Sequence, residues 1–227
     1  MQNKKYKRFF SWLFIFLTIS FSNTLQAIDS RLVEFSLYSA DQNTHFNFSS
    51  NNHEIEYQQL GLNWYESFSS YFHAGLELGY INVTQLEKLL PSAQYTSGEY
   101  TGLLFRFLPI EKDFVSLLVN LNYRYHQTKG SSTNQETEFI WSETALSSEL
   151  QFHTTEYLTL FIAAEYLILD GKQHDSGDIN QISSFSNTHQ QGYRAGINFV
   201  LRRYEHIKIE WQSGVKNSVQ LYFTRKI

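Results

Sequence analysis

The stretch Val115–His126, VSLLVNLNYRYH, decides the fold. Val115, Leu117, Val119, Leu121, Tyr123 and Tyr125 share one parity, and Ser116, Leu118, Asn120, Asn122, Arg124 and His126 share the other. A helix would scatter these residues around its circumference, so an apolar face with a period of two marks a β-strand. The run is also long. Soluble strands usually span about five or six residues, whereas about 9–11 cross a bilayer.

The same alternation recurs on both sides of this segment. Upstream lie Val33, Phe35 and Leu37, then Leu60, Leu62 and Trp64, then Phe72 to Tyr80 at every second position, then Leu103, Phe105 and Phe107. Downstream lie Leu146, Leu150 and Phe152; Leu158, Leu160, Ile162, Ala164, Tyr166 and Ile168; Tyr193, Ala195, Ile197 and Phe199; Ile207, Ile209 and Trp211; and Val219, Leu221 and Phe223. These give ten predicted strands, with eight and twelve as the even-numbered alternatives. Connections of two lengths separate them. Those at 67–70, 109–113, 153–156 and 202–205 are short, while 41–53, 83–95, 128–137 and 171–187 are long and polar. Short turns at one end and long loops at the other characterise transmembrane barrels. The connection at 213–217 is short where the pattern asks for a long one.

A soluble sandwich alternates too, with its apolar face inward, so secondary signals must decide. Trp64, Tyr80, Phe107, Tyr123, Tyr125, Trp141, Tyr157, Tyr166 and Trp211 sit towards segment ends, as interfacial girdles require. The polar face carries Arg106, Arg124, Arg194 and Lys208 opposite Glu77, Glu143, Glu149, Glu165 and Glu210, interspersed with Gly75, Gly79, Gly102, Gly192 and Gly196. A sandwich core would not hold so many charges, while a narrow barrel pairs them across a lumen filled with side chains. The reading is therefore all-β: a single closed antiparallel up-and-down transmembrane β-barrel with a plugged lumen.

Composition narrows the function classes. The 227 residues hold 18 Lys+Arg against 22 Asp+Glu, a net charge of -4 and a pI near 6.1, which argues against nucleic acid as a partner. Cysteine is absent, which removes disulfides, thiolate metal sites and lipidation of an N-terminal Cys. At the N-terminus, Lys4, Lys5, Lys7 and Arg8 precede an apolar run from Phe9 to Phe21 and the small, polar 22–27 segment. This is a signal-peptide layout, with cleavage expected after Ala27. The predicted organisation is thus a cleaved signal peptide, 1–27, and a barrel domain, 28–227.

At the other end, Val219, Leu221, Phe223, Arg225 and Ile227 share one parity and lead to the chain end. This resembles the terminal strand of Gram-negative outer-membrane proteins, which the barrel-assembly machinery reads during insertion. Those strands commonly finish in Phe, whereas here Phe223 is followed by Thr224, Arg225, Lys226 and Ile227. The resemblance covers nearly the whole chain as an architecture. It implies location in the cell outer membrane, with lipid, lipopolysaccharide and the assembly machinery as partners and the surface partner left open.

Some outer-membrane barrels are enzymes, among them omptin-like proteases and lipid A deacylases. Asp170, His174, Asp175 and Asp178 lie in one long loop and superficially suit an omptin-like site, but matching motifs in other strands are missing. His73, His126 and His206 have inward parity, as does Ser116, and each is read as part of a structural polar network. His174 and His189 do not have a metal-ligand spacing. No catalytic, cofactor-binding or metal residue is assigned, and no cofactor is expected. The leading reading is a structural or surface-interaction protein acting through its long loops, especially 41–53 and 171–187. The alternatives are a narrow channel for small solutes and an outer-membrane hydrolase.

Overall fold

The computed structural model describes residues 33–48, 52–85 and 95–227, except 133, 179 and 203. The expected signal peptide falls outside the described residues, as do parts of the first two long connections. Eleven strands follow in chain order: β1 (Val33–Phe48), β2 (Asn52–Ser67), β3 (Phe72–Gln85), β4 (Tyr95–Glu111), β5 (Val115–Ser132), β6 (Gln135–Thr155), β7 (Leu158–Gly177), β8 (Gln181–Asn187), β9 (Gln191–Arg202), β10 (Glu205–Ser213) and β11 (Asn217–Lys226). All pairings are antiparallel. Ten strands close a ring through β1–β11, registered from Glu34 opposite Lys226 to Asn43 opposite Asn217. Reciprocal backbone bonds between Val33 and Ile227, 3.0 and 2.8 Å, finish the seam.

β8 belongs to no expected strand. The lower part of β7, Leu158–Tyr166, pairs with β9, but its upper part, Asp170–Asp175, pairs with β8, which then meets β1 at Phe46–Phe48. β9, β10 and β11 end beneath it. The barrel is therefore ten-stranded at the short-turn end and eight-stranded, β1 to β8, at the other.

Most of the expected long loops are strand. β6 runs for 21 residues, about 70 Å at roughly 3.3 Å per residue, far more than an apolar band about 25 Å tall needs even when tilted. Sequence reading stopped these strands where the apolar parity stopped, but what changes there is the surroundings. In β1, Phe35 and Leu37 face outward with Ser36 and Tyr38 inside; from Asp41 onward the outward residues are polar, and Phe46 and Phe48 are buried inside. β2 repeats this, with Leu60, Leu62 and Trp64 outward and Ile55 and Tyr57 buried. Even residues of β1 point inward throughout, so the backbone keeps its phase while the apolar face changes sides. The change marks the boundary between lipid outside and water outside.

Beyond that boundary Phe46, Phe48, Ile55, Tyr57, Ile81, Val83, Phe139, Trp141, Leu169 and Phe185 form one buried apolar cluster. Trp141, expected in the interfacial girdle, is 2% exposed inside this cap, because its parity matches Glu143 rather than Leu146. The other expected girdle residues Trp64, Tyr80, Phe107, Tyr123, Tyr125, Tyr157, Tyr166 and Trp211 are exposed.

Because the switch marks the membrane boundary, the cost of a charge depends on height along one face of one strand. Leu76→Arg, in the lipid-facing belt of β3, should destabilise the barrel by about 2–4 kcal/mol, and Asn82→Arg, on the same face beyond Tyr80, by at most about 1 kcal/mol. Denaturant titration of the two variants in lipid vesicles measures the difference.

Candidate functional site

Two regions hold the chemistry: the lumen and the outer rim. In the lumen, the residues that face inward from the polar parity pair as charge compensation demands. The Tyr38 hydroxyl donates to Glu77, which also accepts the Arg124 Nε–H at 2.7 Å, and Tyr38 and Tyr100 hydroxyls lie 2.6 Å apart. Glu143 receives Lys216 Nζ at 2.7 Å, Trp141 Nε1–H at 3.2 Å and the more distant Arg124 at 3.9 Å. A second cluster gathers Arg194 against Glu210 at 3.1 Å and Glu165 at 3.7 Å, with Lys208 against Glu210 at 2.9 Å and Glu149 at 3.2 Å. Gly61 and Gly79 let Tyr38 and Tyr100 lie against the wall; a Cβ at either position would collide with the Tyr100 ring or hydroxyl.

Three of the four expected cations thus meet the expected acids, and Arg106 pairs instead with Glu34, at 3.3 Å, and stacks over Tyr65. Lys216 is a further lumen residue, sharing parity with Ser218, Gln220 and Tyr222. Its place in a short polar turn hid that signal.

The candidate histidines separate. His126 is fully buried, its ring parallel to Trp141 at 4.4 Å between centroids and 3.8 Å from Glu143. His73 meets Ser67 at 2.8 Å. Ser116 meets His153, at 2.8 Å, and the other nitrogen of that ring lies 3.1 Å from the Thr159 hydroxyl. A hydroxyl therefore stands where a nucleophile–base pair would have an orienting carboxylate, and Ser116 is only 4% exposed. In the expected loop site, His174 faces outward and Asp175 inward, where it accepts Thr137 Oγ1–H and Gln173 Nε2–H, both at 2.7 Å. Asp170 and Asp178 lie apart from them along the hairpin. No group of three or more His, Asp or Glu suited to a metal occurs among the described residues.

At the rim, Lys129, Glu138, His174 and Ile182 stand side by side across β5, β6, β7 and β8. Lys129 and Glu138 are 3.1 Å apart, and Glu138 also accepts Gln127 Nε2–H at 2.7 Å. These residues line a cleft of about 660 Å³, together with Ser176 and Gln181.

No protein-family model matches the chain, and no curated protein does. Among solved structures, the translocator domain of autotransporter NalP from Neisseria meningitidis aligns with a TM-score of 0.52 and 8% identity over 96% of each chain. The chain folds as an outer-membrane β-barrel. The β domain of the Bordetella autotransporter BrkA aligns at 0.52 and 12% identity over 88% of this chain and 100% of that one, and the outer-membrane protease OmpT from Escherichia coli at 0.50 and 6% over 90% and 97%. An autotransporter unit and a protease on one architecture make that likeness one of fold. The exposed belt of Leu62, Leu76, Leu103, Leu121 and Ile162 is the face such an outer-membrane barrel turns to hydrocarbon.

Truncating a shared buried acid should cost far more than truncating a rim acid. Glu143→Ala leaves the buried Lys216 without its carboxylate and is expected to destabilise by about 3–5 kcal/mol, whereas Glu138→Ala should cost under about 1 kcal/mol. Unfolding midpoints in detergent distinguish the two.

Proposed function

We propose that this outer-membrane barrel is a non-enzymatic anchor that holds a rigid β-structured platform outside the cell for contact with a surface partner. The observation that carries the reading is the reversal of the apolar face along single strands. It turns what would be loose loops into a packed eight-stranded cap, with its outward face polar and its rim cleft lined by Lys129, Glu138, His174 and Ile182. A platform ordered before binding loses less conformational entropy on contact than a flexible loop. Lipopolysaccharide is the nearest surface component, and the barrel-assembly machinery is the partner during insertion.

An enzymatic role finds less support. The Ser116–His153 pair lacks both a carboxylate and an open approach, and the acids of the β7–β8 hairpin point in different directions. Apolar side chains fill the barrel axis inside the cap, which argues against a wide axial channel.

The test uses cells carrying the protein, cells carrying a Lys129→Ser, Glu138→Ser, His174→Ser, Ile182→Ser variant, and cells with neither. Retention is measured on surfaces coated with purified lipopolysaccharide or with extracellular-matrix protein. Greater retention of the first strain on either surface, lost in the variant, is expected. Equal retention of all three strains on both surfaces refutes the interaction reading.

A further inference from the structure

The step from ten strands to eight leaves a break in the wall. β9, β10 and β11 end at Gln191, Ser213 and Asn217, below β8. On one flank, Leu167 N–H still donates to the Gln190 carbonyl, at 2.7 Å; on the other, Thr188 N–H reaches His45 O at 3.4 Å. Between these flanks, no backbone hydrogen bond joins the 213–216 turn to β8 or to 188–190 among the described residues. Side chains of that turn fill the break. Gly214, with φ of +104°, turns the chain inward, so that Val215 packs against Ala145 and Leu167, and Lys216, 3% exposed, reaches Glu143. Thr44 Oγ1–H donates to the Val215 carbonyl at 2.9 Å.

We propose that the β10–β11 turn is a side gate: moved outward, it opens the charged lumen to external water and small ions beneath the apolar cap. Elsewhere among the described residues a ladder of backbone bonds joins neighbouring strands, and breaking through would require several to part together. Here one valine, one hydroxyl–carbonyl bond and one lysine, paired with Glu143 and 5.4 Å from the centre of the Tyr57 ring, hold the turn. Its lysine, once outside, is solvated, and Glu143 keeps His126 and Arg124 as neighbours, so both ends of the broken pair retain a polar environment. The aromatic cap closes the axial route, which leaves this seam, among the described residues, as the least tightly held path between the lumen and the cell exterior. The gate is independent of whatever the rim cleft binds.

Two features make the test direct. A Cβ at Gly192 would lie 3.7 Å from Val215 Cβ, within the range for a disulfide, and the chain has no cysteine to compete. Trp141 sits beside Glu143, so it reports water at the place Lys216 vacates. In a Trp64→Phe, Trp211→Phe background of the signal-cleaved protein, acrylamide quenching of Trp141 is measured in vesicles. Lys216→Met should raise the quenching constant several-fold. Adding Gly192→Cys and Val215→Cys should return it to the parent value when oxidised and release it on reduction.

Heat-modifiable migration on gels shows that each variant is a closed barrel. Should Lys216→Met fail to close, Thr44→Val, which removes the other tether, carries the same expectation. Unchanged quenching in a closed-barrel tether variant overturns the gate, and so does increased quenching that persists in the oxidised lock.

Discussion

A chain that crosses hydrocarbon must leave no backbone N–H or C=O unpaired where lipid can reach it, because each such group costs several kcal/mol. The ten-stranded ring meets this demand by closing β11 on β1. Closure fixes inward and outward parity for every strand at once, and burial of the lumen charges follows. The lumen acids and bases, among them Glu34 with Arg106, Glu143 with Lys216 and Glu210 with Arg194, have nowhere else to point and must neutralise one another. Above the lipid the demand is relaxed, and there the ring drops to eight strands, leaving the seam beneath β8 to side chains.

Parity read from the sequence identifies the barrel, its ten ring strands and the pairing of Arg124, Arg194 and Lys208 with lumen acids. It fails where the environment changes sides. Periodicity reports which face is apolar, not what surrounds that face, so Phe46 and Phe48 read as part of a connection and Trp141 as part of a girdle. The legible signal was there: apolar residues reappear on the opposite parity at Phe46 and Phe48, after a polar interval. Hydrophobicity alone cannot say whether such a shift is a bulge, a loop or a change of solvent.

β8 was illegible for another reason. ISSFSN has little apolar alternation, and only Phe185 reaches the cap, so its strand character comes from two long-range neighbours, β7 and β1. Likewise the short 213–217 connection, an exception in the expected alternation of loop lengths, is required by the step: a long connection there would collide with β8. The rim cleft depends on register across four strands, which local patterning does not set.

The reversal along β1, β2, β3, β6 and β7 also divides one polypeptide into two regimes of tolerated change. Below the boundary, a substitution outside must suit acyl chains and one inside must suit a charge network; above it, the interior is an ordinary apolar core and the exterior need only be soluble. Variation on the upper exterior leaves both the core and the membrane-embedded ring intact. Such a surface can change in sequence while the scaffold stays the same, and the connection between β7 and β8 is a place where added length would be least disruptive.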